Sequence, residues 1–344
     1  MRKSTGKESL IFKTAVLLIT ILIAVPAASA VAKEIVWRWD IQIPATHVYV
    51  KEIYIPFTEE VSARSGGAFK IATFPSSGTG LKPSTQLRGL KNNMIDMSEV
   101  NTGWNTGDEP LLSIVSLPCL FHNQQEVAKG LKSVEDILVK DLEQKWDMKI
   151  LWISPIDEQI IFTVKPITKL ADIKNKKTRT YQRWLELWVN AMGARSVNVP
   201  YGEQYSAFQR NLIDAGITGS ATAGPMKFYE VVSTTLVDLG LDFIPFFICA
   251  SGKSWRELPK EHQDLLMELA KKYGPQQIVK AAAVQGKYYE EFKSKGMTII
   301  RATAEEKKHA REVAKENVWP VFVKEQGAAG AQMIERVQKA LAAR

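Results

Sequence analysis

Two periods alternate along this chain. From Ile35 to Ile43 apolar residues recur every second position, placing Trp37, Trp39 and Ile41 on one face of a predicted strand. Pro44 ends that run, and Val48 to Ser62 switches to helical spacing. Ala68 to Phe74 reads as a second strand, closed by the Pro75–Gly78 loop. A short helix over Ser84 to Lys91 and a strand over Met94 to Val100 follow. Ser133 to Lys145 reads as a helix with a Ser133-x-x-Asp136 start, and Lys149 to Ser154 as a strand. The middle third continues with strands at Ile160–Val164, Thr178–Tyr181 and Ile213–Thr218. Between them fall helices at Trp184–Met192, stopped by Gly193, and Glu203–Arg210. The last third is helical: Glu261–Tyr273 after Pro259, Gln276–Ser294, and a helix opened by the capping box Thr303-x-x-Glu306. Strands separated by helices predict an α/β protein with parallel sheets covered by helices.

The first thirty residues stand outside that pattern. Arg2, Lys3, Lys7 and Lys13 precede an apolar run from Ala15 to Val25 and the small-residue site Ala28-Ser29-Ala30. This is the order of parts in a secretory signal peptide cleaved after Ala30, and the apolar run is about half a bilayer span. No Cys lies near the site to carry a lipid. The expected compartment is a periplasm. About 310 residues then remain, too many for one core, which implies two lobes.

Composition excludes more than it proposes. Hydrophobic residues make up 45% and charged residues 24%, ordinary for a globular protein. The net charge of +8 falls to about +5 without the leader, and Lys and Arg are interspersed with acids, which disfavours a nucleic-acid groove. Cys119 and Cys249 allow either a disulfide or two buried thiols. His47, His122, His262 and His309 are far apart and form no metal-ligand spacing, so no metal or cofactor is expected. There is no GxSxG elbow, Walker loop or GxGxxG, and adjacent acids such as Asp157 and Glu158 are common by chance, so no enzyme chemistry is indicated.

Six motifs occur in order between residues 80 and 259. They are Gly80-Leu-Lys-Pro-Ser-Thr-Gln-Leu-Arg-Gly-Leu-Lys-Asn-Asn-Met-Ile-Asp96-Met97, Leu117-Pro118-Cys119-Leu120-Phe121, and Leu170-Ala-Asp172-Ile-Lys-Asn-Lys-Lys-Thr-Arg179. Pro200-Tyr-Gly-Glu203-Gln-Tyr205-Ser-Ala207-Phe-Gln209 with Asp214, Lys227-Phe-Tyr-Glu-Val231, and Trp255-Arg-Glu-Leu258-Pro259 complete the series. Together they resemble the TRAP-type solute-binding proteins, with Cys119 where that family has Phe. The resemblance implies a two-lobed periplasmic-binding-protein fold, type II-like, with a ligand cleft between the lobes and long C-terminal helices. Lobe I is expected at 31–155 plus 244–283, and lobe II at 156–243 plus 284–344. Such proteins deliver an organic acid to a membrane permease, perform no chemistry and are mostly monomers.

The resemblance also assigns roles. Arg179 is expected to clasp the ligand carboxylate, a task suited to the planar fork of guanidinium. Gln159 stands where many relatives carry a second ligand-facing Arg. Asn101 and Thr218 stand where sialic-acid-binding members have Glu and Asn, and Tyr201 keeps an aromatic. Losing the second Arg favours a single carboxylate with an uncharged remainder, because an unpaired buried charge is costly. Trp39, Trp104, Trp184 and Tyr201 fall on segments that border the cleft in the family, which favours an aromatic or indole-type acid. The other readings are a small aliphatic 2-oxo or 2-hydroxy acid, a dicarboxylate, an exported enzyme on a related fold, or a receptor serving a sensor instead of a permease.

Overall fold

The computed structural model describes residues 34–155 and 158–343; the expected leader and its cleavage site after Ala30 lie outside them. Among the described residues, eleven strands form two sheets. The first contains β1 (Ile35–Asp40), β2 (Phe69–Phe74), β3 (Met97–Asn101), β4 (Met148–Pro155) and β10 (Pro245–Ser251), ordered β2-β1-β3-β10-β4. The second contains β5 (Gln159–Thr163), β6 (Lys177–Thr180), β7 (Arg195–Asn198), β8 (Ala215–Gly219), β9 (Thr234–Val237) and β11 (Thr298–Arg301), ordered β11-β9-β5-β8-β6-β7. Each sheet centres one lobe of an α/β fold.

The sheets are mixed rather than parallel. β1 pairs in parallel with β2 and β3, whereas β10 is antiparallel to both β3 and β4. In the second sheet β5 is antiparallel to β8 and β9, while β6 is parallel to β7 and β8. The exceptions are the strands by which the chain changes sheet. β4 leaves the first sheet toward β5, and the chain returns from β9 into β10. A chain that leaves and re-enters at the same edge must run the opposite way on its return.

Three apolar cores hold these layers. One lies between the first sheet and the helices Ile55–Arg64 and Lys260–Ser294, and contains Trp37, Trp39, Tyr54, Phe57 and Trp152. Another lies on the outer face of the second sheet around Phe162, Phe208, Phe228 and Phe292. The largest touches both sheets, running from Val100 and Phe247 to Ile161, Ile217 and Leu236. It takes in the helices Gln124–Lys140, Arg183–Ala191, Ala304–Asn317 and Trp319–Ala342.

Two helical expectations change. The helix expected from Ser133 begins at Gln124, where Asn123 Oδ1 accepts the Glu126 N–H at 2.9 Å. Ser133 sits inside it with its hydroxyl donated back to the Gly130 carbonyl at 2.7 Å, so the apparent start motif competes with a better cap at Asn123, upstream. The helices expected at Glu261–Tyr273 and Gln276–Ser294 are one, Lys260–Ser294, with Pro275 inside it. Pro costs a helix about 3 kcal/mol, but Tyr273, Gln277 and Ala281 continue one buried face across it, and packing prevails over local propensity. The capping box at Thr303 and Glu306 forms in both directions. Cys119 and Cys249 are unbridged and buried. Among the described residues, no helix is long and apolar enough to cross a membrane.

Candidate functional site

Arg179 lies on β6, one strand in from the edge of the second sheet, flanked by Val197 on β7 and Gly216 on β8. Its neighbour lacks a side chain for a reason: a Cβ on Gly216 would stand 2.7 Å from Phe208 Cζ and 3.5 Å from Arg179 Cβ. Arg179 is 2% exposed. Its Nε donates to the Val199 carbonyl at 3.1 Å and Nη1 to the Ile217 carbonyl at 2.7 Å, which fixes the plane of the fork. Tyr181, two residues along the same strand face, covers it with its ring at 4.9 Å. Burial pulls the Arg179 pKa down to about 10, partly offset by Tyr181 and Tyr201. Among the described residues Arg179 has no acidic partner, and two carbonyls leave most of its five donors unused. A buried cation without a counter-ion is costly, and a ligand carboxylate would relieve that cost.

A pocket with about 450 Å³ of empty space, open solvent at its mouth included, lies in front of this group. Arg179, Tyr181, Tyr201, Gln159, Thr218 and Thr222 line it from the second lobe. Facing them from the first lobe and the returning strand are Ile43, His47, Tyr49, Asn101, Trp104, Ile244 and Phe246. The two walls differ in character. One is cationic and hydroxyl-bearing, the other apolar and aromatic with two amide or imidazole groups. Toward solvent the cavity continues into a wider cleft that shares Trp104, Arg179, Tyr181 and Tyr201 and reaches Lys82, Arg183 and Asn198.

Buried polar groups behind the lining hold it in position. Glu99 on β3 accepts the Gln42 and Ile43 N–H groups at 2.8 and 3.0 Å, anchoring the loop that carries Ile43 and His47. Burial pushes the Glu99 carboxyl up to about 8, against those hydrogen bonds. Asp242 accepts the Tyr181 hydroxyl and, at 3.3 Å, the Gln182 amide, and burial pushes it up to about 7. Gln182 also donates to the Ser116 carbonyl at 3.0 Å, joining the start of the helix Arg183–Ala191 to the first lobe. Glu158 accepts the N–H groups of Gly240 and Asp238 at 2.6 and 3.2 Å and thereby ties the two strand crossings together.

Six expected residues meet at the cavity: Arg179, Gln159, Tyr201, Thr218, Asn101 and Trp104. Trp39 and Trp184 do not reach it and are corrected to core positions. Trp39 is fully buried against Tyr54, Phe57 and Trp152, because strand alternation puts it on the same face as Trp37, under the helices. Trp184 packs edge-on to Phe322 at 5.6 Å, and its i+4 partner Trp188 donates to the Ala310 carbonyl at 3.0 Å. Their helical spacing marks one inward-facing stripe. Tyr181 was missed although period two from Arg179 placed it on the same face. Ile244 and Phe246 alternate in the same way on and just before β10. His47 was weighed only as a metal ligand.

A buried guanidinium lining a cleft between two α/β lobes is suited to holding an anionic ligand. The chain belongs to the bacterial extracellular solute-binding protein family 7, whose model matches residues 41–325. It is 28% identical over 214 residues to a solute-binding protein of Albidiferax ferrireducens, spanning 61% of this chain and 63% of that relative. It is 24% identical to the 2,3-diketo-L-gulonate-binding periplasmic protein of Escherichia coli, over 86% of this chain and 89% of that one. Its fold matches a Bordetella pertussis extracytoplasmic solute receptor binding pyroglutamic acid, with a TM-score of 0.81, 24% identity, and coverage of 88% and 99%. It also matches a Desulfovibrio salexigens TRAP periplasmic solute-binding protein with bound orotic acid, with a TM-score of 0.81, 20% identity, and coverage of 90% and 99%.

Proposed function

We propose that this protein is a periplasmic receptor that captures a small organic monocarboxylate and delivers it to a TRAP-type permease. The observation that carries this reading is Arg179, buried in a cavity with its plane fixed and no acidic partner among the described residues. The carboxylate binds there in two-pronged fashion. Gln159 in place of a second cation supports a single negative charge on the ligand. Trp104, Tyr49, Tyr181, Tyr201 and Phe246 line the cavity and support a planar, ring-bearing remainder, an aromatic acid being the leading form, with small aliphatic 2-oxo or 2-hydroxy acids next. The relatives that bind pyroglutamic and orotic acid, both cyclic monocarboxylic acids, support the same size and charge class.

The lobes we assign are 31–155 plus 244–283 and 156–243 plus 284–344. The strands of the two sheets divide along those limits, while the last helix, Trp319–Ala342, packs on Gln124–Lys140. Ligand favours closure because it touches Arg179, Gln159, Tyr201 and Thr218 on one side and Asn101 and Trp104 on the other only when the lobes meet. The protein acts as a monomer. Thermal unfolding of refolded, ligand-free protein against cyclic and aliphatic mono- and dicarboxylates tests the reading. A ligand at 100 times its dissociation constant adds about 2.7 kcal/mol to folded stability. Stabilisation by monocarboxylates is expected, and stabilisation only by dicarboxylates or by no acid would overturn it.

A further inference from the structure

The wall opposite Arg179 carries two neutral donors whose orientation is set by the backbone. His47 lines the cavity, and its Nδ1 accepts the Tyr49 N–H at 3.3 Å. The ring proton of the neutral imidazole is therefore on Nε2. His47 is 5% exposed and is held against the Tyr49 ring at 4.8 Å, and Nε2 has no hydrogen-bond partner among the described residues. Burial drives the His47 pKa down to about 3, so the ring stays neutral throughout the physiological range. Asn101 is fixed in the same way. Its Oδ1 accepts the Gly103 and Trp104 N–H groups at 2.8 and 3.3 Å, which consumes its acceptor and leaves the Nδ2 hydrogens for the cavity. Glu99, two residues earlier on β3, is occupied with the Gln42 and Ile43 N–H groups.

We infer that His47 Nε2 and Asn101 Nδ2 form a donor pair that selects a ligand carrying an uncharged oxygen acceptor, a ketone or lactam carbonyl, at the end away from its carboxylate. This deepens the monocarboxylate reading and rests on it. A site whose donors are buried and oriented loses free energy when the ligand offers only C–H or N–H there, since both donors are then desolvated and unmatched. An indole N–H or a bare phenyl edge leaves them so. A carbonyl oxygen, with two lone pairs, accepts from both.

Two probe pairs differ by one carbonyl: cyclopentanecarboxylate with 3-oxocyclopentanecarboxylate, and cyclohexanecarboxylate with 4-oxocyclohexanecarboxylate. Isothermal titration of the mature protein is expected to give the oxo acid of at least one pair about tenfold or more tighter binding than its hydrocarbon partner. In His47→Phe that preference falls toward unity. His47→Gln, which retains a donor, keeps most of the preference, and circular dichroism of each variant reports folding. Equal binding within each pair by wild-type protein overturns the donor pair but leaves the carboxylate receptor standing, as does a preference unchanged in both His47→Phe and Asn101→Leu. Failure of all four acids to bind overturns the donor pair, and the carboxylate reading falls with it only where no monocarboxylate stabilises the protein in thermal unfolding.

Discussion

Replacing Arg179 with Met separates what the residue does for the ligand from what it does for the fold. Met keeps most of the apolar stem and removes the charge. The guanidinium pKa is drawn from 12.5 to about 10 by burial. Because the folded value lies below the unfolded one, protonation opposes folding at neutral pH, by about 3 kcal/mol. Against this stand two hydrogen bonds, to Val199 and Ile217, each worth about 1.5–3 kcal/mol from a charged donor. The opposing effects largely cancel, so urea unfolding of ligand-free Arg179→Met is expected within about 3 kcal/mol of wild type. Binding behaves differently. Removing one member of a buried charge pair costs about 2–5 kcal/mol, or roughly 30-fold to several-thousand-fold in affinity for the same acid by titration calorimetry. A variant that keeps its affinity within threefold while folding normally would refute the salt bridge.

Further outcomes follow from the same contacts. Asp242, Glu158 and Glu99 have folded pKa values raised by burial to about 7, 7 and 8, so the native state holds protons that the unfolded state has released. Stability is therefore greatest for these groups below their unfolded pKa values and falls as pH rises toward 8; the denaturant midpoint should drop from pH 6 to pH 8, and Asp242→Asn should flatten that slope. Trp104→Ala should weaken ligand binding, whereas Trp184→Phe should cost about 1–3 kcal/mol of stability with affinity unchanged, as measured by paired unfolding and titration experiments. Thr303→Ala removes a capping box and should cost about 1 kcal/mol in urea unfolding. Burial raises both cysteine thiols well above their ordinary range, so native protein should resist alkylation at Cys119 and Cys249, while unfolded protein reacts at both.

Some of this molecule was legible in its residues and some was not, for identifiable reasons. Strand positions followed from period two, and Thr303 with Glu306 announced their cap. The direction of β5 and β10 did not follow, because it depends on where the chain crosses between sheets rather than on any local pattern. Pro275 misled because a continuous buried face outweighs one missing hydrogen bond. At the site, the residues anchored by motif, Arg179 above all, fell on the cavity. Trp39 and Trp184 did not, and their own periodicity already assigned them to packed faces. His47 had no motif to mark it. Its orientation depends on the Tyr49 N–H two residues away and on its burial, neither of which a local pattern marks.

The most direct test of the account is a crystal structure of the mature protein with a bound monocarboxylate. The account predicts both carboxylate oxygens within hydrogen-bonding distance of the Arg179 guanidinium, with the remainder lying between Trp104 and Tyr201. A carboxylate bound elsewhere in the cleft, with Arg179 still capped only by Val199 and Ile217, would contradict it.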